Sequence, residues 1–268
     1  MLILESVTYR YAGAEHPSLY DMDLRLDDGE VVGVVGASEA GKTTLCLVAC
    51  GLAPRAIRGT LTGRLLIDGI DVIGERMHEL ATRTGVCFQD PGTQLSGVTS
   101  TVFEEVAFGP MNLGLSLDEV LSRTKQALVT LSIEHLAERD PARLSGGQLQ
   151  LVAIGGLLAM RPAHLILDEP TAQLDPAGTL LVADALAGLA AGGTSILITE
   201  QKTDLLERIC DRVVALQQGH LRLSGTAEEV LADPSLEELG VAAPSAVRLY
   251  RLASTAGVDR LRLEGGLK

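Results

Sequence analysis

Short β-branched apolar runs alternate along this chain with longer stretches of helical periodicity, an order that predicts an α/β domain. Residues 30–36 (EVVGVVG) read as a buried strand ending at a glycine turn. Residues 42–51 read as the helix that follows, with Gly51 as its C-terminal stop. Further strands are predicted at 63–67, 85–88, 164–167, 195–199 and 213–216. Between Pro91 and Met160 the pattern changes: helical periodicity at 117–131 and 147–160, with little strand signal, predicts a helical subdomain inserted into the sheet. Apolar spacing at 180–189 and 205–209 predicts helical faces turned to the core. From Thr226 onward, short helical pieces broken at Pro234 and Pro244 predict an appended tail.

Composition narrows the function classes. The chain has 268 residues, 46% of them hydrophobic, enough for one large domain or two small ones with a sizeable core. Its formal charge is −13, and it carries three Phe, four Tyr and no Trp. A nucleic-acid binder wants a basic field and often stacking rings, so that class is set aside. The four cysteines (Cys46, Cys50, Cys87, Cys210) lie in apolar runs and read as small hydrophobes, not as a disulfide framework. Cys46 and Cys50 share a helix face, but no third or fourth metal ligand stands near in the sequence. The five histidines (His16, His78, His135, His164, His220) lack ligand spacing and read as surface or strand-end residues. The N-terminal stretch MLILESVTYRY has no basic lead, and the longest apolar run, 152–160, is half the length of a membrane span. A cytosolic chain is expected, unless a partner holds it at a membrane.

Three stretches carry chemistry. Gly36-Ala37-Ser38-Glu39-Ala40-Gly41-Lys42-Thr43 matches the phosphate loop G-x-x-x-x-G-K-[ST], with a predicted strand before it and a helix after it. In such a loop glycines let backbone N–H groups turn inward around phosphates, and the helix N-terminus adds partial positive charge. Lys42 is placed to bridge the β- and γ-phosphates, and the Thr43 hydroxyl suits Mg²⁺. A chance match is not rare for the pattern alone; the strand–loop–helix context argues against it. Glu39 is unusual, since a carboxylate there must point outward or repel the nucleotide. The second stretch, 163–169, is an apolar strand ending in Asp168 and Glu169. Their side chains diverge along an extended segment, so Asp168 suits Mg²⁺ while Glu169 faces the γ-phosphate and its attacking water. Alone, such an acid pair is usually just a turn; 126 residues after Lys42, it is the expected partner of the phosphate loop. Between them, Leu144-Ser145-Gly146-Gly147-Gln148 opens a helix that Ser145 can cap, leaving N–H groups available to an anion.

With LSGGQ followed by an acid-tipped strand, the sequence resembles the ATP-binding-cassette (ABC) ATPases over nearly its whole length. The resemblance implies a P-loop NTPase fold of α/β class, with an antiparallel β subdomain, an inserted helical signature subdomain and a C-terminal extension. The corresponding division is 1–90 and 161–225 for the nucleotide-binding core, 91–160 for the helical subdomain and 226–268 for the extension. It implies ATP and Mg²⁺ as ligands and a dimer in which Ser145, Gly146, Gly147 and Gln148 close over the partner's ATP. Tyr11 lies where the family stacks an aromatic on adenine, and Thr44 completes the ATP-binding set after Thr43. Gln89 matches the loop glutamine that senses Mg²⁺ and the membrane part, and Asp175 matches the loop crossing the dimer interface. Glu169, Lys42 and the residue at 201 are the implied catalytic set, and Thr43, Gln89 and Asp168 the implied Mg²⁺ set.

Two positions depart from the family pattern. After the strand at 195–199 a switch histidine is expected, and Gln201 stands there; Gln can donate a hydrogen bond but carries no charge. Leu151 stands where an Arg commonly follows the signature. The stretches FQDPGTQ (88–94) and VFEEVAFG (102–109), with the tail at 239–249, are similar to the energy-coupling-factor (ECF) transporter ATPases. That branch implies an importer for a vitamin or metal ion, on the cytoplasmic face of the membrane. There a paralogous ATPase, or a second copy, pairs with the chain, and a membrane coupling subunit and a substrate-capture subunit complete the assembly. Gln201 implies an asymmetric heterodimer with a slow site in this chain. A DNA-maintenance ABC ATPase would need a long coiled coil between its nucleotide motifs, and 126 residues leave no room. A regulatory ABC protein that binds ATP with little hydrolysis stays open, through Gln201 and Glu39.

Overall fold

A computed structural model describes residues 1–255; residues 256–268, the last part of the expected extension, lie outside the described residues. In chain order the strands are β1 (Leu2–Tyr11), β2 (Leu19–Leu26), β3 (Val31–Val35), β4 (Gly59–Ile67), β5 (Ile70–Asp71), β6 (Thr84–Cys87), β7 (His164–Asp168), β8 (Ser195–Thr199), β9 (Arg212–Gln217) and β10 (His220–Thr226). The helices are α1 (Lys42–Ala49), α2 (Met77–Leu80), α3 (Val102–Asn112), α4 (Leu117–Thr130), α5 (Gly146–Met160), α6 (Pro176–Ala191), α7 (Thr203–Ile209), α8 (Ala227–Ala232), α9 (Ser235–Glu238) and α10 (Ser245–Thr255).

A six-stranded sheet runs β10-β9-β3-β8-β7-β6, parallel except for the β9–β10 hairpin. A parallel sheet must be covered on both faces, and alternate residues of each strand divide between two cores. Val31, Val35, Leu165, Leu167, Ile196 and Ile198 join the core under the helices of 102–160 and α6. Val32, Val34, Ile166, Leu197 and Val214 join α1 and the antiparallel sheet β2-β1-β4-β5. This double burial explains why the strands read as continuous apolar runs.

The antiparallel sheet, by contrast, follows from family resemblance and not from periodicity. Strand β1 buries Leu2 and Leu4, then Val7 and Tyr9, because a bulge at Ser6 (φ 47°) shifts the register between Leu4 and Val7. The period of two breaks in mid-strand. Helix α3 was also unmarked by periodicity, since Gly109 and Pro110 interrupt it. Its start is nonetheless written locally, as Thr101 accepts from the Glu104 N–H and Glu104 reaches back to Thr101. On α6 the predicted core face needs one correction: Val182 and Leu186 are buried, but Leu180 is 47% exposed.

The tail packs onto α7. The Thr203 hydroxyl donates to Ala242 O (2.9 Å), the Ser245 N–H donates to Asp204 (2.7 Å), and Arg251 donates to Glu237 (2.7 Å) and Ala232 O (2.9 Å). A Cβ at Gly240 would stand 3.2 Å from the Ala37 methyl of the phosphate loop. His164, read as a surface or strand-end residue, starts β7 but is buried, with Nε2 2.9 Å from Asp68. Burial pushes the Cys50 thiol up to about 11 and the Cys87 thiol up to about 12, so both stay neutral occupants of the core.

Candidate active site

The loop between β3 and α1 leaves the carboxyl end of a central strand, where parallel α/β sheets place ligands. Gly36 and Gly41 are demanded by space: a Cβ would lie 2.6 Å from Leu216 O at the first and 2.9 Å from Ser18 O at the second, where φ is +105°. The turn Gln218–Gly219 braces the loop, the Gly219 N–H donating to Ala40 O (2.9 Å) and the Tyr20 N–H to Gly219 O (2.9 Å). Lys42, buried, folds back over the loop, its Nζ donating to Gly36 O (2.9 Å) and Ala37 O (3.1 Å).

Glu39 sits at φ +65°, a conformation that costs an L-residue about 1 kcal/mol or more and glycine little. Its side chain is exposed at the rim of the cleft, as the sequence required. Glu39→Gly is expected to raise stability by about 0.5–1 kcal/mol and to tighten nucleotide binding by removing a negative charge. Denaturant midpoints and nucleotide titrations check both; weaker binding would show that the carboxylate serves the site.

The acidic pair is held from β8. Asp168 accepts from the Thr199 hydroxyl (2.7 Å), and that same oxygen accepts from the Glu169 N–H (3.1 Å). Glu169 adopts φ +48°, a strained conformation of the kind that clusters at functional sites. Its carboxylate accepts from Gln201 Nε2 at 2.9 and 3.1 Å and from Gln89 Nε2 at 3.1 Å, with Lys42 Nζ 3.8 Å away. Three residues distant in sequence thus converge on one carboxylate.

Beside them Glu200, 2% exposed, accepts from Thr171 Oγ1 (2.5 Å) and from the N–H groups of Gln201 (2.9 Å) and Lys202 (3.3 Å). Lys202 Nζ donates to Thr171 O (2.7 Å), Leu174 O (3.1 Å) and Thr179 Oγ1 (3.0 Å). Sequence reading passed over both, although their charges flank the switch position.

The cleft in front of these groups has a volume of about 740 Å³. Lys42, Thr43, Thr44, Gln89, Glu169 and Gln201 line it. His16, Tyr20, His220 and Arg222 also line it and were not anticipated; the Tyr20 and His220 rings stack at 4.5 Å. Tyr11 stands outside this lining, edge-on to Tyr9 with its hydroxyl 3.0 Å from Thr44 Oγ1. Ser145 caps α5 in a reciprocal pair with Gln148 and does not face this cleft. A Cβ on Gly146 would meet Gln173 Oε1 at 2.4 Å, and Asp175 caps α6 by accepting from the Gly178 N–H (2.7 Å). The signature and the loop to Asp175 are therefore neighbours.

The donor set fits the implied ligands. Thr43, Asp168 and Gln89 offer only hard oxygens, the ligands Mg²⁺ takes. Among the described residues no group of three or more His, Cys, Asp or Glu could hold a metal; a Mg²⁺ held by Thr43, Asp168 and Gln89 would take its remaining ligands from a bound phosphate or water.

A phosphate loop on a central parallel strand, facing an acid-tipped strand two places along the sheet, defines a P-loop nucleotide-binding protein. The family model for ABC transporters matches residues 19–172. The chain is 36% identical over 271 residues to an energy-coupling factor transporter ATP-binding protein, EcfA2, of Symbiobacterium thermophilum, covering 98% of this chain and 89% of that one. It is 39% identical over 251 residues to a putative ABC transporter ATP-binding protein of Methanosarcina acetivorans, covering 92% of this chain but 41% of the relative, so the chain spans about two fifths of that protein's length. Among solved structures, cbiO1 from Clostridium perfringens, part of the ABC transporter complex cbiONQ, is 32% identical with a TM-score of 0.76, covering 93% of this chain and 98% of that one. The chain belongs to the ABC transporter ATP-binding family.

Proposed function

We propose that this chain hydrolyses ATP as the nucleotide-binding subunit of an ECF-type importer for a vitamin or metal ion, paired with a paralogous ATPase and held on the cytoplasmic face by membrane coupling and substrate-capture subunits. The convergence of Lys42, Gln89 and Gln201 on Glu169 carries the hydrolytic reading. The importer reading is supported by likeness to EcfA2 and cbiO1 and by a second cleft. That cleft, about 340 Å³, lies between β6, α3 and α5 beside the Gln89 loop, with Phe108 on its rim. Val98 and Met111 are exposed nearby in sequence, apolar surface suited to helices of a coupling subunit. The ECF-like stretches shape this region: Gln94 ties the Phe88 N–H to Val86 O, and buried Glu105 accepts from Ser96 and from Thr99. No helix among the described residues is long and apolar enough to cross a membrane, so attachment would come through partners. Exposed Leu249 and Leu252 on α10 suit the pairing role of the extension.

Phosphoryl transfer to water asks mainly for positioning and charge stabilisation. Lys42 would leave the carbonyls of Gly36 and Ala37 for the β- and γ-phosphates, and the amides of 36–41 and the α1 N-terminus would hold the rest. Bound Mg²⁺ would neutralise phosphate charge, held by Thr43, Gln89 and Asp168. Glu169 would orient or deprotonate the attacking water, and Ser145 would serve the partner's nucleotide.

In the free chain Gln201 holds both oxygens of Glu169, which supports a slow site here. Gln201→His in the assembled complex is expected to raise kcat, by less than the about 10²–10³ that losing a transition-state donor costs; no change or a fall would refute the impairment. Affinity purification from detergent-solubilised native membranes tests the assembly. A second ATPase with a switch histidine and polytopic membrane proteins are expected; recovery of the chain alone would favour an ATP-binding regulator.

A further inference from the structure

We infer that Glu200 and Lys202 are positioning residues that clamp the switch residue Gln201 to the loop leading to Asp175, so that dimer closure and the geometry around Glu169 move as one unit. The coupling to closure rests on the proposed function; the clamp itself rests on the fold.

Lys202 is the first indication. It occupies the N-cap of α7 and makes no cap hydrogen bond. Ser, Thr, Asp or Asn would cap better, and a cation is opposed by the helix dipole there. Its placement does nothing for its own helix. The ammonium instead spends its three donors on Thr171 O, Leu174 O and Thr179 Oγ1, gathering residues 171–179 around one charge. Glu200 grips the same segment from the other side of Gln201, through the fully buried Thr171 hydroxyl, and pins the N–H groups of Gln201 and Lys202. Thr171 is thus held by its hydroxyl and by its carbonyl, from the two residues flanking the switch.

Gln201 is a more flexible side chain to hold at the switch position than a histidine would be. Its three side-chain torsions cost more entropy to fix than the two of a histidine ring. Holding the backbone N–H of Gln201 and packing its neighbours onto the 171–175 loop restricts where its amide can go, which in this structure is onto both oxygens of Glu169. The same loop neighbours the signature through Gln173 and ends at Asp175. A shift of that loop at the interface would therefore be delivered to residues 200–202 without passing through the nucleotide cleft, whose lining does not include Lys202.

The test uses the full chain, alone and in its assembled complex, as Lys202→Met, Lys202→Arg and the milder Thr179→Val. Hydrogen–deuterium exchange on the nucleotide-free chain reads the clamp without activity: in Lys202→Met, protection of the peptides at 171–179 and at 199–206 is expected to fall together. In a complex whose partner site has been inactivated, so that only this chain's site turns over, Lys202→Met is expected to lower kcat about ten- to a hundredfold while the ATP KM stays within about twofold. Lys202→Arg, which keeps a charged donor, should recover part of the loss, and Thr179→Val should give a smaller step in the same direction. Unchanged exchange in both segments overturns the clamp. Unchanged kcat in an active complex, or KM and kcat falling with stability and no rescue by Arg, reduces Lys202 to ordinary packing and overturns the coupling. A wild-type complex without turnover overturns the proposed function, and the exchange data then decide the clamp by themselves.

Discussion

Glu169→Gln is expected to lower ATP turnover at this chain's own site by about 10²–10⁴, the contribution of a positioned general base, while leaving ATP binding nearly intact. Glutamine has the same shape but its amide is a poor base, and one of its two terminal atoms becomes a donor. Gln89 and Gln201 both aim Nε2 at Oε2 of this side chain, so an amide oxygen placed there can accept from both, and only the second contact from Gln201, to Oε1, is lost. The site keeps its volume and loses its charge. An ATP-bound dimer should then persist after the wild type has returned to its resting form, and light scattering during turnover reads this directly. A dimer of equal lifetime in both proteins would mean that the chain does not hydrolyse, and would promote the regulatory reading.

Lys42→Ala is expected to weaken ATP binding by about a hundredfold or more, the loss of charge-assisted contacts to two phosphates. Stability should change much less. The ammonium now rests on two loop carbonyls at the edge of the cleft, and water can replace it there. Calorimetric titration with ATP, set beside a thermal melt, separates the effects: a large fall in both would show that Lys42 braces the loop itself.

What was legible from residues alone follows a physical division. Strands β3, β7 and β8 are buried on both faces, so their apolar runs announce them whatever the register. The phosphate loop, the acid pair and the signature are short and contiguous, and each contains the residues its chemistry needs. Features that depend on distant pairing were silent. The bulge at Ser6 broke the alternation that would have marked β1, and Pro110 hid α3 behind a helix breaker. Tyr20 and His220 look unrelated until β2 meets the β9–β10 turn, where their rings stack. Glu200 and Lys202 read as ordinary charges because their hydrogen-bond partners lie about thirty residues upstream. Gln201, by contrast, stood out against a pattern, and the structure places it against Glu169.

The docked tail bears on how such a protein can be recombined. Its anchors are Thr203 and Asp204, directly after the switch segment, and its path at Gly240 passes so near Ala37 that an added Cβ would stand 3.2 Å from the Ala37 methyl. An extension grafted from a relative would have to match those positions as well as its own packing. A change in the tail is therefore constrained by residues that border the cleft.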